Sequence, residues 1–294
     1  MAYSYSVSIP HYNSPELLRR MLQSIPERDD IQLIIVDDGS REENVAEIKK
    51  IQHRNLELIL LGKNHGGGFA RNVGLQKAKG KWFISVDSDD FFSEDAFAVF
   101  DKYKDEDADV LMYCINICDE GGNVTTHTLK SNDSVLAYLK DKNEKTENLI
   151  RFRNPDTWNK LVSLKFLKEN NIQYENCRIN IDAFYALQIG LKAKRIRVIP
   201  DKLYNWVATS GSITMKKRSI EREFQFFLQA QKRNGFYKQI GLTSWPYYRK
   251  VILYLPFMLR KRGFFDTLRF FVIIYKNWNQ VIEARKTYLY LFKE

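Results

Sequence analysis

Three carboxylates within four residues, Asp87-Ser88-Asp89-Asp90, close an apolar run, Trp82-Phe83-Ile84-Ser85-Val86. A buried strand that ends this way suffers the mutual repulsion of its carboxylates unless a counter-charge is supplied. A divalent cation is the simplest remedy. Carboxylate oxygens suit Mg²⁺ or Mn²⁺, and such ions share their coordination shell with the phosphates of a substrate. The competing reading is an acidic helix start, in which Asp or Ser caps free N–H groups.

The elements around this cluster must bring further polar residues to it. Tyr5 to Pro10 reads as a strand. A helix follows, with Ser14 at the N-cap, Pro15 at the first helical position, and Leu18, Met21, Leu22 and Ile25 at helical spacing. Ile31 to Val36 is a second strand, and Ser40 with Glu43 forms a capping box ahead of Val45, Ile48 and Ile51. Leu56 to Leu61 is a third strand, Gly66 to Lys79 a glycine-opened helix, and Trp82 to Val86 a fourth strand. This alternation predicts an α/β fold with a parallel sheet covered on both faces. In such sheets ligands bind beyond the carboxyl ends of the strands. Four polar loops fall there: Pro10-His11-Tyr12-Asn13, Asp37-Asp38-Gly39-Ser40, Lys63-Asn64-His65-Gly66-Gly67-Gly68 and the aspartate cluster.

Four ordered segments resemble the donor-binding half of a family 2 glycosyltransferase of the GT-A fold. They are Val7-Ser8-Ile9-Pro10-His11-Tyr12-Asn13, Val36-Asp37-Asp38-Gly39-Ser40, Ala70-Arg71-Asn72-Val73-Gly74-Leu75, and Asp87-Ser88-Asp89, which matches the family's DXD motif. A weaker resemblance continues through Trp158-Asn159-Lys160-Leu161, Phe166-Leu167, Ile181-Asp182-Ala183-Phe184, Ala193-Lys194-Arg195-Ile196 and Gly211-Ser212-Ile213-Thr214. Together they cover residues 5–115 densely and 157–214 sparsely. The resemblance implies a GT-A fold, a Rossmann-like mixed sheet flanked by helices. It further implies inverting transfer of a hexosyl or N-acetylhexosaminyl group, from a nucleoside diphosphate sugar with UDP as its nucleotide, and Mn²⁺ or Mg²⁺ as cofactor.

The resemblance also implies roles. Asp38 accepts a hydrogen bond from the nucleotide base, while Asp37 is structural. Pro10 and Tyr12 lie along base and ribose, and Asn64 and Ser88 belong to the same donor site. Asp87 reaches ribose or metal, and Asp89 ligates the metal. Arg71 and Asn72 touch phosphate or brace the loop. Gly66-Gly67-Gly68 lacks the Gly-Lys-Ser/Thr of a Walker loop and reads as a flexible opening to a helix. Asp182 is the candidate general base that takes the acceptor hydroxyl's proton; it could also N-cap a helix from Ala183 to Leu191. The family's usual Glu-Asp pair is Ile181-Asp182 here, and Trp206-Val207-Ala208-Thr209 lacks the usual Arg or His near the diphosphate. Trp158 and Asn159 are expected on the acceptor side, with core packing the alternative for Trp158.

The net charge is +10, but it is not evenly spread. Residues 216–294 hold 17 Lys+Arg against 5 Asp+Glu, a balance of +12, which leaves residues 1–215 at −2. The expected organisation is a GT-A catalytic domain over 1–215, with a nucleotide-sugar half at 1–118 and an acceptor half at 157–215, then a basic helical C-terminal region at 216–294. In that region Tyr247, Val251, Tyr254, Leu255, Met258 and Leu259 share a helical face, followed by Phe264, Phe265, Leu268, Phe271, Val272 and Tyr275 among Arg and Lys. No apolar run approaches the roughly 20 residues that span a bilayer. The pattern fits peripheral contact with the inner membrane surface; packing of the aromatics on the catalytic domain is the alternative. Met1-Ala2-Tyr3-Ser4 does not read as a signal peptide, so the expected location is cytoplasmic. Residues 119–156 read as a variable polar insertion, Cys114 and Cys118 as buried thiols, and His11, His53, His65 and His127 show no metal spacing.

The expected partners are a nucleotide-sugar donor, a glycan or lipid-linked acceptor in surface polysaccharide synthesis, and no nucleic acid. Three other readings share parts of the pattern. A sugar-nucleotide nucleotidyltransferase wants a glycine-rich basic loop where Pro10-His11-Tyr12-Asn13 stands. A non-catalytic sugar-nucleotide or glycan-binding module would not need Asp182. A nucleic-acid-binding protein would show steep salt dependence.

Overall fold

A computed structural model describes residues 3–177, 179–208, 219–244 and 251–292. The chain divides into two compact units, Met1–Ser210 and Gly211–Glu294.

The first unit opens with the expected alternation: β1 (Tyr5–His11), α1 (Pro15–Gln23), β2 (Ile31–Asp37), α2 (Glu42–Ile48), β3 (Leu56–Leu60), α3 (Gly67–Lys77) and β4 (Trp82–Ser85). β1 pairs in parallel with β2 and β4, and β2 with β3. All seven residues of β2 are buried, as expected of a central strand covered on both faces. Its one amide, Gln32, accepts from the Ser6 hydroxyl at 2.7 Å and donates to the Lys77 carbonyl at 3.0 Å.

β5 (Phe91–Phe92), α4 (Ala96–Tyr103), β6 (Val110–Cys118), α5 (Lys130–Lys140), α6 (Glu144–Phe152), β7 (Lys160–Ser163), α7 (Leu164–Glu169), α8 (Ile181–Lys192) and β8 (Ile196–Val207) complete the unit. The eight strands run β3-β2-β1-β4-β7-β6-β8-β5. β7 is antiparallel to β4 and β6, and β5 to β8. The sheet is therefore mixed, as the family resemblance implies, where alternation alone predicts a parallel one. Short β7 enters beside β4 from the opposite direction, so no crossover helix is needed there.

Several local expectations are corrected. Ser40 does not form a capping box with Glu43. Its hydroxyl is drawn to Asp37, and Arg41 takes the N-cap of α2. Ser14 does occupy the N-cap of α1, but without a side-chain hydrogen bond. α8 is capped by Asn180 in the left-handed region, φ 52°, and not by Asp182, which lies inside the first turn. Residues 119–156, read as a variable polar insertion, carry α5 and α6. The Asn132 amide of α5 bridges the Ile115 N–H and carbonyl of β6 at 3.0 and 2.8 Å, so this helix completes a sheet face. Cys114 and Cys118 are buried free thiols on β6.

The second unit holds α9 (Ile220–Gln239), α10 (Tyr254–Arg262), α11 (Phe264–Lys276) and α12 (Trp278–Lys286). Phe224, Phe227, Met258, Phe270, Ile274 and Val281 form its core. Pro256 sits in the first turn of α10, where its missing N–H removes no helical hydrogen bond. Of the expected aromatic face, Met258 is buried, Leu255 and Leu259 are exposed, and Tyr247 lies outside the described residues. Among the described residues no helix is long and apolar enough to cross a membrane.

Candidate active site

The rim is built by hydrogen bonds between neighbouring loops. The buried Asp37 carboxylate receives His11 Nδ1–H at 2.8 Å, the Ser40 N–H at 3.0 Å and the Ser40 hydroxyl. The Ser14 N–H donates to His11 Nε2 at 3.1 Å, which assigns the imidazole proton to Nδ1. Burial works to raise the Asp37 pKa, but the bonds from His11 and Ser40 outweigh it and hold the carboxyl below its ordinary range. Asn13, at φ 54°, accepts the Arg41 N–H at 2.8 Å and donates its own N–H to Ser40 Oγ at 2.8 Å. The first two loops are thereby one piece.

Asp38 links the second loop to the third. Its two oxygens accept the backbone N–H groups of His65 and Gly66 at 2.7 and 2.8 Å, and the residue is 4 % exposed. Gly39 follows at φ 75°, where a Cβ would lie 2.3 Å from the Lys63 backbone. Only glycine permits that approach. Asp38 thus organises the loop that carries Asn64. Tyr12 is 50 % exposed on this rim, Asn64 is exposed, and Pro10 and Ser88 are half-buried.

Beyond β4, ligand oxygens of Asp87, Asp89 and Asp90 all lie within 4.8 Å of one another. Asp90 is buried and fixed by the Tyr204 hydroxyl at 2.9 Å and the Val207 N–H at 2.8 Å. The Tyr204 oxygen in turn accepts the Asp87 N–H at 3.1 Å. Burial, then the Asp87 and Asp89 charges, pushes the Asp90 carboxyl well above its ordinary range. Burial and Asp87 likewise push Asp89 upward. Such a cluster is short of positive charge, and its oxygens fit a hard divalent cation. Arg20 supports the same turn from α1. Its guanidinium donates to the Asp89 carbonyl and lies over the Phe91 ring at 5.4 Å.

Arg71, buried on α3, pairs with Asp87 and brings its Nε to 3.7 Å from Asp182 Oδ1. Burial opposes its charge, but Asp182 and Asp87 more than offset it, so the guanidinium is held protonated. Asp182 keeps about a third of its side chain exposed. Burial pushes its carboxyl up to about 6, with Arg71 opposing and Asp87 and Asp156 adding. Two carboxylates from elements 95 residues apart in sequence therefore face one guanidinium. Asn72 provides the brace. Its amide donates to the Tyr174 carbonyl at 3.0 Å and accepts the Tyr174 N–H at 2.8 Å, clasping α3 to the segment before α8.

Trp158 and Asn159, expected on the acceptor side, are buried. Trp158 stacks on Tyr204 at 5.6 Å between ring centroids, and the Asn159 amide donates to Asn154 Oδ1 at 2.8 Å. They shape the site from behind, because the indole and the amide are both used by the core. Lys160 is buried beside them, its ammonium on the Asn154 and Asp156 carbonyls and on Asn159 Oδ1 at 2.7 Å. Burial brings it down to about 8, against the pull of Asp156 and Asp182. Val207 gives its N–H to Asp90, and Thr209 and the 211–214 segment lie outside the described residues. Sequence reasoning missed Tyr204 and Arg20. Neither carries a local signal, since their partners are 114 and 69 residues away.

The model of the family described as glycosyl transferase family 2 matches residues 6–169. Poly(ribitol-phosphate) beta-N-acetylglucosaminyltransferase TarS of Staphylococcus aureus is 28 % identical over 230 residues, which are 74 % of this chain and 38 % of that protein. Minor teichoic acid biosynthesis protein GgaB of Bacillus subtilis is 30 % identical over 234 residues, 76 % of this chain and 25 % of that protein. The chain thus spans well under half the length of these relatives. Among solved structures, residues 1–349 of S. aureus TarS in complex with UDP-GlcNAc align at a TM-score of 0.60 with 23 % identity, covering 76 % of this chain and 64 % of that one. The fold is GT-A.

Proposed function

The chain belongs to glycosyl transferase family 2, and from that premise we propose that it transfers a sugar from a UDP-sugar to a hydroxyl of a glycan or lipid-linked acceptor in surface polysaccharide synthesis. The observation that carries the reading is the convergence of Asp87, Asp89, Arg71 and Asp182 on the rim where β1 to β4 end. The relatives' printed activities, N-acetylglucosaminyl transfer and teichoic acid synthesis, point to the same acceptor class.

Each residue then has a task. Tyr12 and Pro10 flank base and ribose, and the lone pairs that Asp38 does not give to His65 and Gly66 are available to the base. Asn64 and Ser88 border the donor. Asp87 and Asp89 would hold Mn²⁺ or Mg²⁺, with Asp90 buried behind them; the ion would supply positive charge against the departing diphosphate. Arg71 holds Asp87 and Asp182 in fixed relation. Asp182 takes the proton of the attacking hydroxyl. A pKa of about 6 leaves it ionised at neutral pH yet basic enough to accept a proton. The catalytic domain runs over 1–215, with its donor half at 1–118 and its acceptor half at 157–215. The basic region over 216–294 makes the protein peripheral at the cytoplasmic membrane face.

The test is nucleotide release from a panel of UDP- and GDP-sugars with Mn²⁺, with and without lipid-linked acceptor. Release from a UDP-sugar that rises with acceptor is expected. Failure of every nucleotide sugar to bind in the presence of metal overturns the reading.

A further inference from the structure

Helix α11 is apolar on two sides. Thr267, Phe270 and Ile274 are buried. Phe264, Phe265, Leu268, Val272 and Tyr275 are exposed, at 66 %, 79 %, 54 %, 42 % and 83 %. With about 100° of rotation per residue these five occupy an arc of about 100°, and Arg269 and Lys276 border it on one side. Asp266 projects away from that arc. On the neighbouring α10, Arg260 is exposed as well. Lys261 and Arg262 are by contrast engaged by Glu223, at 2.6 and 3.1 Å.

A contiguous exposed apolar face of this kind marks an interaction surface. Its occupant must accept bulky aromatics and also offset positive charge, since residues 216–294 carry a balance of +12. A second copy would bring the same +12 balance to the contact, which disfavours association. An anionic lipid surface meets both demands: aromatic side chains enter the boundary between headgroups and acyl chains, while Arg and Lys meet phosphate. We infer that the exposed face of α11 is a lipid-docking surface selective for anionic phospholipid, with Phe264 and Phe265 as its inserting pair. This deepens the membrane location in the proposed function, and it does not depend on the sugar-transfer chemistry.

The experiment is co-sedimentation of the full chain with phosphatidylcholine vesicles, with and without phosphatidylglycerol, alongside UDP binding in solution. Wild type is expected to sediment with the anionic vesicles and far less with neutral ones. F264E combined with F265E should abolish sedimentation. R269E combined with K276E should weaken it roughly tenfold or more. L136E, which alters an exposed leucine of α5, should leave it unchanged. The substituted side chains are exposed; a retained circular dichroism spectrum shows that each variant is folded, and retained UDP binding shows that the first unit is intact. The inference is overturned if wild type ignores anionic vesicles, if the phenylalanine variant binds them as well as wild type, or if that variant merely splits a wild-type dimer. Vesicle binding without UDP binding would instead sink the transferase reading alone.

Discussion

In the proposed function Asp182 and Asp89 divide the chemistry between proton transfer and donor capture, and their variants should fail differently. Asp182→Asn keeps the shape of the site but cannot accept a proton, so UDP-sugar affinity should stay near wild type while turnover falls by roughly 10²–10⁴. The wild-type pH profile supplies a second signature. As the proposed base, Asp182 would act in its ionised form, and its pKa is raised to about 6, so kcat/KM should rise with pH through that value and level off above it. Steady-state rates across pH check this, and the limb should vanish in the variant. Asp89→Asn removes a ligand from the aspartate cluster and should abolish metal-dependent UDP binding; calorimetric titration with and without Mn²⁺ distinguishes that from a general loss of fold.

At the level of elements, the site depends on loops and helices being locked to one another. Asp37 ties the loop after β1 to the loop after β2 through His11 and Ser40. Its folded-state pKa lies below the ordinary value, so its stabilisation is present above the unfolded pKa and is lost as acid carries the pH down through the folded one. Asp37→Asn should therefore lower stability at neutral pH by about 1–3 kcal/mol, a difference that shrinks toward low pH. Denaturant titration at two pH values measures it. Gly68 in the first turn of α3 abuts the segment that precedes α8, and an added Cβ would lie 2.3 Å from the Glu175 carbonyl oxygen. Gly68→Ala should cost about 1–3 kcal/mol by overpacking and also lower turnover, because it pushes apart the elements that carry Arg71 and Asp182. Urea unfolding and initial rates test the two parts.

In the whole molecule, two units with separate cores predict separable unfolding transitions. On the proposed function, UDP with Mn²⁺ should raise the transition of the first unit alone, by about 2.7 kcal/mol at a hundredfold excess over Kd. Scanning calorimetry reads both transitions in one trace.

The amino-acid sequence by itself determined the strand–helix alternation, the rim on which the polar loops fall and the family, because periodicity and short motifs are local properties. The mixed sheet and the resemblance to a GT-A fold agree with the structure. Tertiary structure decided what those loops do for one another. Asp38 holds the third loop by its backbone, Tyr204 fixes Asp90, Arg71 joins Asp87 to Asp182, and Trp158 turns inward onto Tyr204. The 119–156 segment, read as a polar insertion, packs on β6 through Asn132. These partners are many tens of residues apart, and a side chain's charge or size does not name the distant group that will satisfy it. Chain topology does, by closing the loops that bring them within hydrogen-bonding distance.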